Sequence, residues 1–406
     1  MTAVPAQPAA EPAATPLHDR AAAEAYVASV CFKHGPPRFV GAELEWTVHY
    51  TGQPRRRLCL PDLAAALAAH APATVDPESP QRPLGNGSLV TVEPGGQVEI
   101  SAPPQASLTS LLAAVAADAA ELAALLETQG LVLGRYGFDN HREPERLLAH
   151  PRYAAMAAAF DTVGPDGLAW MCASAGLQVC LDSGQPDRIA ARWAAVNALG
   201  PVLSALFANS GQPDGASARM RAMFGADPAR TAPAPVGADP AADWARAAID
   251  APVLCVRRER GDWIPPAPLT FADWIDGKLG DPPTEDDLDY HLSTLFPPVR
   301  PRGYLEVRYL DNQPDGEWIA PVALLAALFA DESTVDSALT AAEPAAGRWL
   351  PAAQDGLNDR NVAKAAEAVI DLAGAAIPAN TDLARHTVDD VLRLLDERRF
   401  TERGER

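Results

Sequence analysis

Four segments of the chain alternate apolar and polar residues with the two-residue period of a half-buried strand. They are residues 39–50, 89–101, 171–182 and 302–311. In the last segment, Leu305 and Val307 would face a core. Glu306 and Arg308 would lie on the opposite face, because successive side chains of a strand point to opposite sides of the sheet. The pattern predicts four strands that each join an apolar face to a face of acidic, basic or amide side chains.

The polar side of these segments is rich in carboxylates. The glutamates are Glu43, Glu45, Glu93, Glu99 and Glu306, and the third segment adds Gln178. If the strands are neighbours, two like charges about 4 Å apart repel by about 1 kcal/mol in water and about 4 kcal/mol at a partly shielded surface. Cations must then lie among them. The candidates are arginines such as Arg300, Arg302 and Arg308, or hard divalent cations, which take oxygen ligands.

A second interpretation explains these polar strand faces without a functional site. A pair such as Glu43 and Glu45 on a strand is often a solvated face, and Glu306 with Arg308 could form an exposed ion pair that contributes little. Gln178 could be an ordinary sheet residue. Repetition of the pattern in four strands favours one shared site, and carboxylates alternating with arginines around magnesium suit a site for a nucleotide triphosphate.

Apolar residues at helical spacing occupy much of the chain between these strands. The predicted helices span residues 21–31, 60–70, 107–129, 188–209, 285–295, 320–330, 361–374 and 388–398, and a helix followed by a short strand is predicted over 241–256. Thr284, three residues before Asp287, has the spacing of a capping box. Strands scattered among helices without regular βαβ alternation predict an α+β fold, with an antiparallel sheet covered on one face.

The composition and charge of the chain indicate which partners and which cellular compartment to expect. The chain has 406 residues, 48% of them hydrophobic, and a formal charge of −20. That charge argues against nucleic acid or an anionic membrane as main partner, because proteins that neutralise phosphates carry a basic patch. Five cysteines without a CxxC pair indicate neither a disulfide framework nor a zinc ribbon, so a reducing cytoplasm is expected. No secretory signal or transmembrane segment is predicted, since charges interrupt the apolar runs.

Other motifs for nucleotide or acyl chemistry are absent from the sequence. Gly277-Lys278 lacks the spacing of a P-loop, and Gly85-Asn86-Gly87 lacks the third glycine of a dinucleotide loop. Ser174 lacks the leading glycine of a nucleophile elbow. Residues 1–18, rich in Ala and Pro, predict a disordered leader before a single catalytic domain over 19–406.

Seven short motifs follow one another within a core of about 39–330. They are Gly41-Ala-Glu-Leu-Glu45, Glu93-Pro-Gly-Gly-Gln-Val-Glu-Ile-Ser101, Arg152-Tyr153, Gln178-Val-Cys-Leu-Asp182, Leu206-Phe-Ala-Asn-Ser210, Asp227-Pro228 with Arg230, and His291-Leu-Ser-Thr-Leu-Phe-Pro297 running on to Asp311. Taken in order, they resemble the glutamate-cysteine ligases of the plant-like family, particularly the actinobacterial type that serves ergothioneine synthesis. Residues 331–406 are expected to form a helical C-terminal region.

The resemblance implies a curved antiparallel sheet of the glutamine-synthetase-like catalytic kind, a funnel with helices outside. ATP would phosphorylate the γ-carboxylate of glutamate, and the cysteine amine would attack the acyl phosphate to give γ-glutamylcysteine. The implied magnesium ligands are Glu43, Glu45, Glu93, Glu99 and Glu306. The implied substrate-binding residues are Arg219, Arg221, Gln178 and Arg302. Arg300 and Arg308 would stabilise the transferring phosphoryl group, with ATP a substrate.

Two residues depart from the pattern of the family. Cys180 stands where Asn is expected, and Phe224 stands where Trp is expected. The sequence therefore leaves open a related ATP-dependent carboxylate-amine ligase with another amine acceptor. A catalytically silent binding protein of the same fold is the alternative of another class. The oligomeric state is not predicted.

Overall fold

The four alternating segments contribute strands to one sheet. The structure, a computed structural model, describes residues 15–210 and 217–400. Its strands are β1 (Val40–Trp46), β2 (Val48–Tyr50), β3 (Leu89–Val92), β4 (Val98–Ser101), β5 (Leu131–Leu133), β6 (Gly176–Leu181), β7 (Val299–Pro301) and β8 (Leu305–Asp311). Six of them form an antiparallel sheet in the order β3-β4-β1-β6-β8-β7, and β2 pairs with β5 separately. The predicted α+β class with an antiparallel sheet is confirmed.

Helices form most of the remaining described chain. They are α1 (Arg20–Cys31), α2 (Leu60–Leu67), α3 (Leu108–Glu127), α4 (Pro151–Asp161), α5 (Asp166–Ala173), α6 (Ile189–Leu206), α7 (Ala218–Ala226), α8 (Pro228–Thr231), α9 (Pro240–Asp250), α10 (Phe271–Ile275), α11 (Glu285–Leu292), α12 (Ile319–Phe329), α13 (Glu332–Ala342), α14 (Trp349–Asp355), α15 (Arg360–Asn380) and α16 (Arg385–Phe400). The predicted capping box of Thr284 and Asp287 is present at the start of α11.

Helices cover the apolar face of the sheet. Helix α6 packs against β8, α12 packs against β6, and α3 packs against β1. The side chains of Leu44, Val179 and Val307 on this face are almost fully buried. The C-terminal helices α13, α14 and α15 pack on α6, and the ring of Trp349 on α14 also contacts Tyr309 of β8. They therefore add an outer helical layer to the core, and leave the opposite, polar face of the sheet to the site.

Two helices are long and apolar enough to span a membrane by length and composition, although the sequence analysis predicts no such segment. They are α3 and α6. Most of α6 is buried against the sheet and the C-terminal helices. On α3, the fully buried Asp118 accepts hydrogen bonds from the backbone N–H groups of Asn86 and Ser88. These contacts give both helices a place in the folded core.

Two predicted strands are interrupted in the structure. The 39–50 segment breaks at Thr47, whose carbonyl accepts a hydrogen bond from Gly134 N at 2.7 Å, and β2 then pairs with β5. In the 302–311 segment, Arg302 lies in a turn between β7 and β8 and not on a strand. Gly303 makes this turn possible, because its φ of +80° lies in the left-handed region that glycine adopts without strain.

Three further segments differ from the predictions of the sequence analysis. Residues 171–173, assigned to a strand, end helix α5, and residues 251–256 contribute only an isolated bridge at Pro252. The leader assigned to residues 1–18 is structured from residue 15 on, since Leu17 is buried and its N–H donates to Pro283 O at 2.7 Å. Residues 1–14 lie outside the described part of the chain.

Gly200 of α6 supports the C-terminal layer by its lack of a side chain. A Cβ there would come within 1.8 Å of Trp349 Cη2 on α14. Gly200→Ala is therefore expected to lower the free energy of unfolding by about 1–3 kcal/mol through overpacking. The matched control is Gly374→Ala in α15, where nothing lies within 4 Å of a Cβ. It should be neutral or stabilising by up to about 1 kcal/mol. Urea unfolding measures both, and equal effects would contradict the predicted difference.

Candidate functional site

A cavity of about 390 Å³ lies on the polar face of the sheet. The central strands form its floor, and α4, α5, α7 and the segment after α11 form its walls. The lining side chains are Glu43, Glu45, Glu93, Glu99, Ser101, Arg152, Tyr153, Met156, Trp170, Met171, Ser174, Gln178, Arg219, Ser293, Phe296, Arg300, Arg302 and Arg308. The cavity thus has an acidic side, a basic side and an apolar wall.

The register of the strands brings the glutamates of the acidic side together. Glu45 on β1 lies directly opposite Glu99 on β4, and Glu43 lies opposite Gln178 on β6. Glu93 follows β3, at the turn that connects β3 to β4. Like charges directly opposite each other on one sheet face are destabilising. The acidic side therefore calls for a positive partner in the cavity.

Burial and mutual repulsion raise the pKa values of these carboxyls. The pKa rises to about 8 for Glu43 and for Glu45, first through burial and then through the neighbouring glutamates. The pKa of Glu99 rises to about 7 for the same two reasons. Burial also raises the pKa of Glu93, although Arg152 opposes this shift. The cluster therefore binds protons readily where no cation neutralises it.

Glu306 anchors the arginines of the basic side. Its carboxylate is fully buried and forms two hydrogen bonds with Arg300, of 2.6 Å from Nε and 3.1 Å from Nη2. Arg308 Nη1 lies 3.3 Å from the same carboxylate, and Arg302 Nη1 lies 3.5 Å from it. Burial alone would raise the pKa of Glu306, but Arg300 and Arg308 hold it at about 2. Glu306 is therefore a fixed negative charge beneath the arginines.

Gln178 links the acidic side to the basic side. Its amide oxygen accepts a hydrogen bond of 2.6 Å from Arg308 Nη1, and its Nε2 donates to Glu99 Oε2 at 3.0 Å. The register shifts between Leu177 and Val179, so Gln178 sits at an irregularity between β6 and β8. An amide suits this position, because it offers an acceptor to the arginine and a donor to the glutamate.

Arg219 reaches the cavity from α7 and is 4% exposed. Its Nη2 donates to Arg308 O at 2.9 Å, and its Nε has no hydrogen-bond partner among the described residues. The guanidinium lies over Gly176, where a Cβ would come within 2.5 Å of Arg219 Nη2. No carboxylate of the described chain pairs with Arg219. A buried guanidinium in this position has donors left for an anionic ligand.

The apolar wall is the part of the site that the sequence analysis missed. Met156 on α4, Trp170 on α5 and Phe296 after α11 line it, and the rings of Trp170 and Phe296 pack edge to face at 5.1 Å. The 151–173 region lacks clear helical boundaries in the sequence, and α4 and α5 were not predicted. Phe296 lies in the motif His291–Pro297 that supports the family resemblance, and this position could have indicated that it belongs to the site.

Most predicted site residues share this cavity. Glu43, Glu45, Glu93, Glu99, Gln178, Arg219, Arg300, Arg302 and Arg308 all line it. Glu306 and Arg221 do not. Glu306 lies under the arginines, and Arg221 lies on α7 outside the lining. Arg302 reaches the cavity rim from its turn, with half of its side chain exposed. Cys180 and Phe224, which depart from the family pattern, are also not among the lining residues.

The acidic side has the donor chemistry of a divalent metal site. Within the described chain, no three His, Cys, Asp or Glu side chains are already disposed around one metal position. The glutamates nevertheless share one cavity, and carboxylate oxygens are the ligands that hard cations such as Mg²⁺ prefer. Burial, and then repulsion among the glutamates, raises their pKa values, and a bound cation would favour the charged carboxylates again. The residues present therefore fit a magnesium ion.

Comparison with known proteins gives a family and several relatives. The model of glutamate-cysteine ligase family 2 matches residues 39–400. The chain is 39% identical over 376 residues to the glutamate–cysteine ligase EgtA of Mycolicibacterium smegmatis, covering 89% of this chain and 85% of that protein. It is 37% identical to the EgtA of Mycobacterium tuberculosis, over 89% of this chain and 84% of that protein.

The plant enzymes are more distant. The chloroplastic glutamate–cysteine ligase of Brassica juncea is 30% identical over 333 residues, which cover 78% of this chain and 62% of that protein. The plant match thus covers a smaller share of both proteins than the mycobacterial matches do.

Proposed function

The chain belongs to glutamate-cysteine ligase family 2 and is a ligase enzyme, and from this premise we propose that it joins the γ-carboxyl of L-glutamate to the amine of L-cysteine. The reaction consumes ATP and passes through γ-glutamyl phosphate. The observation that carries the proposal is the cavity itself, because it holds four glutamates opposite Arg219, Arg300 and Arg308. Such a site can neutralise phosphates on one side and bind a carboxylate on the other.

The arginines supply the electrostatics of phosphoryl transfer. Arg308 and Arg300 would face the negative charge that spreads over the transferring phosphoryl group, as preorganised cations that need no rearrangement during the reaction. Glu306 holds both guanidinium groups in place. No protein nucleophile is needed, because the glutamate γ-carboxylate attacks ATP and the cysteine amine then displaces phosphate from the acyl phosphate. Positioning and electrostatics therefore supply most of the catalysis.

Of the implied substrate-binding residues Arg219 and Arg221, Arg219 is the better candidate for binding the substrate carboxylate. It lines the cavity, whereas Arg221 does not. Its guanidinium pairs with no carboxylate of the described chain, and its two terminal nitrogens carry more N–H groups than their contacts with Met220 Sδ and Arg308 O use, which suits it to bind a substrate carboxylate. Gln178 and Arg302 remain proposed substrate contacts, with Gln178 inside the cavity and Arg302 at its rim. The apolar wall of Met156, Trp170 and Phe296 would limit water around the acyl phosphate, which hydrolyses readily.

Magnesium would be held by Glu43, Glu45, Glu93 and Glu99, and it would supply positive charge to the phosphates of ATP. Glu306 stays a proposed ligand under one condition. Its carboxylate is occupied by Arg300 at 2.6 Å in this structure, so it could reach a metal ion only by giving up part of that ion pair.

The similarity to the mycobacterial relatives also supports proposals about the fold, the pathway and the partners of this chain. We propose that the sheet is a curved funnel of the glutamine-synthetase-like kind, within a single catalytic domain over residues 19–406. The name EgtA of the relatives supports a role in ergothioneine biosynthesis. The partners are then the small molecules glutamate, cysteine and ATP, without nucleic acid or membrane, and the setting is cytoplasmic.

A turnover assay tests the activity. With ATP, Mg²⁺ and L-glutamate, addition of L-cysteine is expected to start ADP release and γ-glutamylcysteine formation in equal amounts. Other amines, such as 2-aminobutyrate and glycine, are assayed in parallel. ADP release that needs glutamate and another amine, but not cysteine, would indicate a related carboxylate-amine ligase. Absence of any Mg²⁺-dependent nucleotide binding would contradict an enzymatic role.

Glu45→Gln should separate function from stability. Loss of a ligand charge is expected to lower kcat/KM by at least about 100-fold and to raise the Mg²⁺ concentration needed for half-maximal rate. The fold should be kept or slightly stabilised without Mg²⁺, because the substitution removes the repulsion between Glu45 and Glu99. Gln can still accept the hydrogen bond that Gly176 N donates to Glu45. Rates at varied Mg²⁺ and thermal unfolding check both, and near-normal turnover would contradict the metal assignment.

A further inference from the structure

Asp311 ends strand β8 as a buried carboxylate that touches the chain on either side of residues 211–216. It is 1% exposed. Asp311 Oδ2 accepts hydrogen bonds from Asn209 N at 2.9 Å and from Ser210 Oγ at 2.7 Å. Its Oδ1 accepts a hydrogen bond from Ser217 Oγ at 2.8 Å. One side chain thus contacts Asn209 and Ser210, which follow α6, and Ser217, which immediately precedes α7.

The two serines pass this interaction on to the first turn of α7. Each hydroxyl has one proton, which it donates to Asp311, so that its lone pairs are left to accept. Ser217 is the N-cap of α7, and its Oγ accepts a hydrogen bond from Met220 N at 3.0 Å. Ser210 Oγ accepts one from Arg219 N at 3.3 Å. Two of the free N–H groups at the start of α7 are therefore satisfied through Asp311.

Arg219 is the residue of this turn that enters the cavity. Its guanidinium is held close to Gly176, within a gap too small for a Cβ. A rotation of the first turn of α7 would move this guanidinium away from the cavity or into β6. The direction of Arg219 is thus set by the same turn that Asp311 fixes.

We infer that Asp311 is a positioning residue for the ligase reaction, which holds Arg219 toward the substrate carboxylate by fixing Ser210 and Ser217. The inference rests on the carboxylate-binding role proposed for Arg219. A carboxylate is needed at position 311 because it only accepts. An amide would present an N–H group to one of the donors, and the serine facing that group would lose the acceptor for its own proton, while the remaining bonds would lose the charge of the acceptor, so the first turn of α7 would be held less firmly.

Asp311→Asn tests the inference in the full-length enzyme. Its glutamate KM is expected to rise at least about tenfold while its ATP KM changes less than about threefold, since only the interaction with the glutamate carboxylate is disturbed. Ser217→Ala, a milder change at the same network, should raise the glutamate KM in the same direction. Asp118→Asn is the matched control, because Asp118 is also buried and accepts from two backbone N–H groups, but away from the cavity. It should leave the glutamate KM unchanged.

Arg219→Lys and the double variant complete the test. If Arg219→Lys leaves the glutamate KM unchanged, the proposed carboxylate-binding role is wrong and Asp311 has no such role to support. If Arg219→Lys raises this KM, adding Asp311→Asn should raise it by less than about threefold more, because both changes act on one contact. Full additivity of the two effects would overturn the inference. So would an unchanged glutamate KM in Ser217→Ala and in a folded Asp311→Asn enzyme.

Discussion

Arg308→Ala is expected to lower kcat by about 100- to 1,000-fold, the usual loss when one preorganised electrostatic contact to a transition state is removed. Arg308 lies between Gln178, at 2.6 Å, and Glu306, at 3.3 Å. Both contacts are made by Nη1, one of three guanidinium nitrogens that together carry five N–H donors. Its charge is thus fixed at the cavity while part of its hydrogen-bonding capacity remains for the phosphoryl group. Steady-state rates with saturating glutamate, cysteine and ATP measure the effect.

Two controls sharpen this experiment. Arg308→Lys keeps the charge but loses the planar fork of the guanidinium, and it should recover only a small part of the rate. Arg393→Ala removes an arginine from exposed ion pairs of α16 and should leave kcat within about twofold, since surface pairs contribute little. If Arg308→Ala retained more than a tenth of the wild-type kcat, its role in phosphoryl transfer would be contradicted.

Glu306→Gln is expected to lower the free energy of unfolding by about 3–5 kcal/mol, in addition to removing most activity. The carboxylate is fully buried and holds Arg300, whose side chain is 9% exposed. Gln in its place would leave the buried Arg300 and Arg308 charges close together without compensation. Urea unfolding monitored by circular dichroism measures the loss.

The double variant Arg300→Met/Glu306→Leu separates charge from packing. Replacing both partners of a buried ion pair by apolar residues is often neutral for stability. This variant should therefore recover at least half of the stability that Glu306→Gln loses, while its activity stays low. A Glu306→Gln protein as stable as the wild type would contradict the buried anchor.

The polar faces of the strands could be predicted from the sequence because alternation alone assigns each side chain to a face. Glu43, Glu45, Glu99 and Gln178 share one cavity for this reason. The resemblance built on these motifs to the glutamate-cysteine ligases was confirmed by the family match. What the sequence could not give was the depth of each residue below the surface. Glu306 has the same alternation as its neighbours, yet three arginines cover it.

Strand β7 was missed because prolines precede it and end it. Pro297, Pro298 and Pro301 indicate a loop, but a short strand at the edge of a sheet tolerates proline, since its outer N–H groups need no partner. This strand places Arg300 opposite Glu306 in the register. The apolar wall was missed for another reason. Short apolar runs such as that at Met171 do not distinguish a buried helix from a strand without knowledge of their neighbours.

Transfer of oxygen from glutamate to phosphate tests the proposed reaction most directly. With L-glutamate labelled by ¹⁸O in its γ-carboxyl group, ATP, Mg²⁺ and L-cysteine, the wild-type enzyme should place one ¹⁸O atom in each phosphate released. The reason is that the amine displaces phosphate from a γ-glutamyl phosphate that retains one glutamate oxygen. Mass spectrometry or ³¹P NMR of the phosphate measures the label. Phosphate free of ¹⁸O, released while γ-glutamylcysteine forms, would contradict the acyl phosphate. ADP release without cysteine-dependent product would contradict the proposed ligase reaction itself.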